Sequence, residues 1–180
     1  MRVIAGEFRS RVLKTLPGME VRPTPDRLRE ALFSILAPSL RGAVFLDAYA
    51  GTGSVGIEAL SRGAARAVFV EKNRAAMLVI RENLRSLGIE DRADVAFGRT
   101  AQLIARHSAD IVFLDPPYPL EGEYSSALSV LGKSPPALVI AQHASRFEPA
   151  RSYGGLFRYR VLKQGDNSLS FYRAAREDDA

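Results

Sequence analysis

Ala43-Val44-Phe45-Leu46-Asp47-Ala48-Tyr49-Ala50-Gly51-Thr52-Gly53-Ser54-Val55-Gly56 is the stretch on which the reading of the fold turns. Ala43–Asp47 is a short apolar run ending in an acid, and Ser54–Arg62 continues with helical character. The glycines between them let the backbone turn tightly and approach a bound molecule closely. Outward from this unit the pattern keeps alternating. The expected strands are Ala67–Glu71, Ala93–Phe97, Ile111–Asp115 and Ala137–Gln142. The expected helices are Arg74–Leu87, stopped by Gly88, then Ala101–Arg106 and Tyr124–Leu131. Two last strands, Phe157–Lys163 and Leu169–Arg173, have no helix between them and are expected to pair antiparallel. This is the pattern of an α/β, doubly wound, mostly parallel sheet of seven strands covered on both faces.

Upstream, Arg2–Ala5 and Arg11–Leu16 read as a short two-stranded β arm ended by Pro17-Gly18. Thr24-Pro25-Asp26 then reads as a helix start: Thr24 the cap, Pro25 the first position, Asp26 at the positive end of the dipole. Leu28, Leu32, Ile35 and Leu36 recur at helical spacing, and Pro38 is expected to follow the helix end. The expected division is a basic arm over 1–22, a catalytic domain over 23–173, and a frayed tail over 174–180.

Ligands of open parallel sheets lie beyond the carboxyl ends of the strands, where the glycine loop sits. Glu71 ends the second strand and can accept hydrogen bonds from two ribose hydroxyls. Gly51, Gly53 and Gly56 also match the G-x-G-x-x-G fingerprint of dinucleotide binding, which keeps an oxidoreductase among the alternatives. Asp47 weighs against it, because a carboxylate four residues before the first glycine repels pyrophosphate and suits a cationic ligand. S-adenosylmethionine carries a sulfonium and an amino group and no phosphate.

Ile111-Val112-Phe113-Leu114-Asp115-Pro116-Pro117-Tyr118 is the most informative stretch for chemistry. The apolar run makes a buried strand, and the prolines end it and stiffen the loop. The Asp115 carboxylate and the Pro116 carbonyl can together accept both protons of a planar amino group, and Tyr118 offers a ring for a base to stack on.

The basic balance of the chain (net charge +5, pI 9.8) favours polyanionic partners. Basic side chains gather in the first 30 residues and again over residues 146–163, where Arg146, Arg151, Arg158, Arg160 and Lys163 lie. There is no cysteine and only two histidines, which argues against disulfides, a cysteine nucleophile and a histidine- or cysteine-built metal site. His143 and His107 read as structural or helix-end groups. Phe157, Tyr159, Phe171 and Tyr172 read chiefly as sheet and core residues, with RNA stacking as the lesser reading. No apolar run is long enough for a transmembrane helix, and Met1–Glu7 lacks a signal-peptide core, so a cytoplasmic monomer is the default expectation.

Taken together these residues resemble class I S-adenosylmethionine-dependent amino-methyltransferases, whose fold is Rossmann-like, and more closely the bacterial 16S ribosomal RNA guanine-N2 methyltransferase family. The resemblance rests on four segments: Arg2-Val3-Ile4-Ala5-Gly6 with Arg11 and Leu13; Arg22-Pro23-Thr24-Pro25-Asp26-Arg27-Leu28-Arg29-Glu30-Ala31-Leu32-Phe33; the glycine loop through Glu58-Ala59-Leu60-Ser61-Arg62-Gly63-Ala64; and Asp115–Tyr118. It implies methyl transfer to the N2 amine of a guanine in 16S ribosomal RNA or the small subunit, with S-adenosylhomocysteine as product and no metal. It assigns the reaction to Asp115, Pro116, Pro117 and Tyr118. It assigns the cofactor to Thr24, Asp47, Tyr49, Ala50, Gly51, Thr52, Gly53, Glu71, Lys72, Gly98 and Arg99. It assigns RNA to Arg2, Arg9, Arg11, Lys14, Arg22 and Arg27.

The chain departs from the family at Ser10, where a glycine is common, and at Gly98-Arg99-Thr100, where an Asp or Asn usually meets the cofactor adenine. Arg99 cannot accept amino protons through its side chain, though a backbone carbonyl there could. The alternatives are a DNA adenine-N6 methyltransferase, which usually needs extra mass for site reading, and a noncatalytic RNA- or nucleotide-binding module.

Overall fold

The structure is a computed structural model, and it describes residues 1–17, 25–117 and 120–179. After an N-terminal arm come α1 (Asp26–Leu40), β1 (Val44–Asp47), α2 (Ser54–Ser61), β2 (Arg66–Glu71), α3 (Arg74–Leu87), β3 (Ala93–Phe97), the one-turn α4 (Thr100–Leu103), β4 (Ile111–Leu114), α5 (Glu121–Leu131), β5 (Leu138–Ala144), β6 (Ser152–Tyr153), β7 (Leu156–Gln164) and β8 (Asn167–Ala174). The strands form one sheet in the order β3-β2-β1-β4-β5-β8-β7-β6. The first five are parallel to their neighbours, and β8, β7 and β6 close the sheet antiparallel.

The side-chain period of a strand explains how one sheet builds two cores. Phe45, Phe113, Ile140 and Phe171 face α1 and part of α2, while Leu46, Val112, Leu114, Val139 and Tyr172 face α5. Ala67 and Phe69 of β2 turn toward α2, α3 and the arm residues Val3, Phe8 and Leu13.

The sheet has eight strands among the described residues, one more than the sequence pattern gave notice of. The extra strand, β6, is two residues long and pairs only with β7, so it is too short for periodicity to reveal. In the arm the expected hairpin reduces to a single bridge, Arg2 with Val12. Buried side chains hold it instead. Glu58 of α2 accepts from the amides of Ile4 (2.8 Å) and Ala5 (3.0 Å), Ser61 Oγ donates to the Ala5 carbonyl (2.6 Å), and the Ser61 carbonyl accepts from Glu7 (2.8 Å). Ser10 sits at φ 68, the one described non-glycine residue at positive φ.

Pro38 lies inside the last turn of α1 rather than beyond it, and Pro25 precedes the first helical residue. Residues 174–179, expected as a frayed end, continue β8 through Ala174 and close in a 3-10 turn, Glu177–Asp179, with Asp179 clasping Arg173 through two oxygens (2.6 and 2.9 Å). Among the described residues no helix is long and apolar enough to cross a membrane.

Candidate active site

The neighbouring strands β3, β2, β1 and β4 all end at the same edge of the sheet, so each delivers its next residues to one crevice. β1 delivers Asp47 and the loop Ala48–Gly53, β2 delivers Glu71 and Lys72, β3 delivers Gly98 and Arg99, and β4 delivers Asp115-Pro116-Pro117. All of these except Ala48 were expected at the site. Thr24 and Tyr118, also expected there, lie outside the described residues, as does Arg22 of the basic set.

The glycine loop is closed by carboxylates. Glu71 accepts from the Gly51 amide through Oε2 (2.7 Å) and from the Asn73 amide through Oε1 (2.7 Å), and Asp47 accepts from the Gly56 amide (3.0 Å). The Ala48, Ala50 and Gly53 amides go to the carbonyls of Phe113 (3.0 Å), Val70 (3.0 Å) and Ala50 (2.7 Å). Gly51 and Gly53 adopt φ of 56 and 86. Gly56 is required for a different reason: a Cβ there would lie 2.3 Å from Phe69 Cε1, so helix and strand could not pack as closely.

Asp47 is 2% exposed, and burial pushes its carboxyl up from 3.8 to about 7, with the Glu71 charge adding to the rise and the Gly56 amide opposing it. A buried acid held near neutrality is stabilised by any cation that reaches it. Four amides of the Ala48–Gly53 loop are committed, that of Gly51 to a carboxylate, and Asp47 takes the Gly56 amide in the first turn of α2, a placement of negative charge that suits a cationic ligand and repels a pyrophosphate.

On the β4 side, Asp115 is half-buried, Pro116 is buried and Pro117 exposed. The Pro117 carbonyl accepts from the Leu120 amide (3.2 Å), which ties the turn to the start of α5. Behind it Tyr124 donates its hydroxyl to the Gln142 carbonyl (2.6 Å), and burial followed by the nearby Asp115 charge raises its phenol above the usual range. Tyr49, from the glycine loop, donates to Glu123 Oε2 (2.9 Å), so burial and that carboxylate raise its phenol too. This Tyr49–Glu123 bond ties the cofactor loop to the helix behind the catalytic turn, and no local sequence signal announces it. Glu123 was missed because α5 begins at Glu121, before the expected Tyr124. Thr100 Oγ1 donates to the Ala48 carbonyl (2.6 Å) and joins the third strand's loop to the first, while Arg99 beside it is exposed.

His143 is structural, as expected: it is buried, bonded to Ser170 Oγ (2.8 Å), and packed edge-on against Tyr124 and Phe147. Burial lowers its pKa. In the arm, Arg2, Arg9, Arg11 and Lys14 are exposed, as is Arg27 on α1. Two have intramolecular partners: Lys14 meets Glu82 (2.9 Å), and Arg11 donates to the Ser86 carbonyl (3.0 Å). Among the described residues no cluster of His, Asp and Glu suits a metal ion.

A sequence family described as "Conserved hypothetical protein 95" matches residues 1–173. The chain belongs to this family. It is 31% identical over 182 residues to "Putative rRNA methyltransferase YlbH" of Bacillus subtilis, covering 96% of this chain and 98% of that protein. It is 40% identical over 120 residues to "Ribosomal RNA small subunit methyltransferase D" of Escherichia coli, covering 66% of this chain and 60% of that protein. Among solved structures, "Putative methyltransferase yhhF from Escherichia coli" superposes with a TM-score of 0.83 at 29% identity, over 98% of this chain and 99% of that one. The family and the sheet order make this chain a class I methyltransferase, and its crevice occupies the carboxyl edge where that fold works.

Proposed function

We propose that the chain transfers a methyl group from S-adenosylmethionine to the exocyclic N2 amine of a guanine in small-subunit ribosomal RNA. The observation that carries this reading is the juxtaposition at one sheet edge of a glycine loop closed by Asp47 and Glu71 with the rigid Asp115-Pro116-Pro117 turn. The names of the relatives support RNA as the substrate, and the net charge of +5 agrees with it.

The residues present fit the cofactor. Gly51 leaves open space where a Cβ would stand, and the oxygens of Glu71 keep lone pairs for ribose hydroxyls. Asp47 would meet the cationic end through Coulomb attraction, with Tyr49, Ala50, Thr52 and Gly53 lining that loop. Lys72, Gly98 and Arg99 would border the adenine, where Arg99 can contribute only its backbone carbonyl as an acceptor. Thr24 is assigned to the methionine end by family resemblance alone. When bound, S-adenosylmethionine supplies a methyl carbon activated by its sulfonium.

The chain's own task is then positioning. A guanine amine is a poor nucleophile because its lone pair is delocalised into the ring. The Asp115 carboxylate and Pro116 carbonyl would accept its two protons and aim the lone pair at a carbon about 3–3.5 Å away. As the N–C bond formed and the cofactor's C–S bond broke, S-adenosylhomocysteine would be released, the nitrogen would turn acidic, and one proton would pass to Asp115 or to water. The negative charge of Asp115 offsets the developing positive charge on nitrogen. Tyr118 would stack on the base.

The test is incubation with methyl-labelled cofactor and, separately, small subunits, naked 16S rRNA and double-stranded DNA, followed by nucleoside analysis. Label in N2-methylguanosine from either RNA sample is the expected result. Label in DNA, or in methyladenosine, would overturn the reading.

A further inference from the structure

A feature remote from the crevice lies on the β7–β8 margin. β7 carries a bulge between Arg158 and Arg160: Arg158 pairs with Tyr172, yet Arg160 pairs with Phe171. The extra residue, Tyr159, is thereby re-aimed. Both Tyr159 and Arg160 reach the face that carries Phe157, Phe171 and Arg173. Cations and rings alternate along it. Arg151 lies over Phe157 (4.8 Å), Arg173 over Phe157 (5.8 Å) and over Tyr159 (5.5 Å), and Arg160 over Phe171 (5.6 Å). Tyr159 is 45% exposed.

Arg173 is neutralised by Asp179, but the ion pairs among the described residues leave Arg151 and Arg160 without a carboxylate. The ladder borders a groove of about 540 Å³, with Arg41 on its far rim. The one acid among the groove's described lining residues, Asp110, is already accepting from the Val44 amide (2.8 Å).

The geometry points to this margin as a second RNA-docking surface, where unpaired bases stack on Tyr159 and the Arg160 plane and phosphates meet Arg151 and Arg41. The inference rests on the proposed RNA substrate. Stacked arginines beside one exposed ring, Tyr159, are suited to splayed bases, and the charge suits a polyanion. The strand register puts Leu114, Ala141 and Ser170 in one row. Arg173 then lies about 10 Å along the strands from that row, and β7 about 14 Å across from β4. RNA held here is therefore a separate contact from the base held at Asp115.

The experiment measures binding of 16S rRNA and of small subunits to wild type, to the double variant Y159A/R160A and to Y159F, alongside S-adenosylmethionine affinity and melting temperature. The double variant is expected to lose about 10- to 100-fold in RNA affinity, and its salt slope to fall by about one, with cofactor affinity unchanged. Y159F is expected to bind like wild type. Equal RNA affinity of the double variant and wild type would overturn the inference and leave the methyltransferase reading standing. So would a loss confined to subunits, which would assign the face to a ribosomal protein, or a loss in Y159F as large as in the double variant. Failure of wild type to bind either RNA would sink the substrate reading and this inference together.

Discussion

The carboxyl-edge crevice and the β7–β8 margin hold opposite charges, and they hold them in opposite ways. In the crevice, Asp47 and Glu71 are drawn into the backbone, each accepting from loop amides. Glu58 does the same beneath the arm, taking the Ile4 and Ala5 amides. At the margin Arg151 and Arg160 rest on the faces of Phe157 and Phe171 and meet no carboxylate among the described residues. At these two places carboxylates shape the backbone, while Arg151 and Arg160 are displayed on its surface. The difference teaches that acid at this edge is preorganised, which suits alignment of a small cofactor. The displayed cations remain free to adapt to a large flexible polyanion.

The most severe test of that contrast is Glu58→Ala. It leaves two amides unpaired and strips the partner from Arg62 Nε (2.7 Å), and breaking a buried pair of this kind costs about 3–5 kcal/mol. Denaturant unfolding is expected to register that loss, and the KM for rRNA to rise as the arm loosens. A loss below about 1 kcal/mol would say that the arm is held by its apolar residues instead.

Asp47→Asn probes the buried acid with smaller effect. Because the folded-state carboxyl titrates at about 7 rather than 3.8, the protonated form favours folding, and that contribution is lost as pH rises from about 4 through about 7. The variant, without the cofactor, is expected to melt above wild type at pH 8, with the gap closing toward pH 4. Its cofactor affinity is expected to fall. A gap independent of pH, read by calorimetry, would contradict the assignment. Ser10→Gly is expected to do least. It relieves a left-handed residue at some cost in chain entropy, for a net gain of about 0.5 kcal/mol and no change in either binding surface.

How much of this was legible in the sequence follows from where each signal lies. Helix α3 matched its reading from Arg74 to Leu87, with Gly88 stopping it at φ 69, because the stop is local. Strand β3 matched for the same reason. The crevice was legible because four strand ends carry their own markers. What escaped depends on partners far away in the chain. The arm is tied by Glu58, more than fifty residues on. The β7 bulge is a mismatch of register with β8, not a property of either strand. Tyr49 finds Glu123 only because α5 packs on the sheet face that carries Val112 and Leu114, where Tyr49 also lies. The start of α5 was placed late because Gly122 interrupts a helical pattern that two acids in the first turn favour.

The central claim separates two roles along one edge: Glu71 grips the cofactor, and Asp115 presents the amine. It is tested most directly by measuring S-adenosylmethionine affinity by calorimetry and single-turnover methyl transfer to RNA in Asp115→Ala and Glu71→Ala. The account predicts that Asp115→Ala loses transfer by about 10²–10³-fold while cofactor affinity stays within about tenfold, and that Glu71→Ala loses cofactor affinity first. Equal loss of cofactor binding in both variants would contradict it.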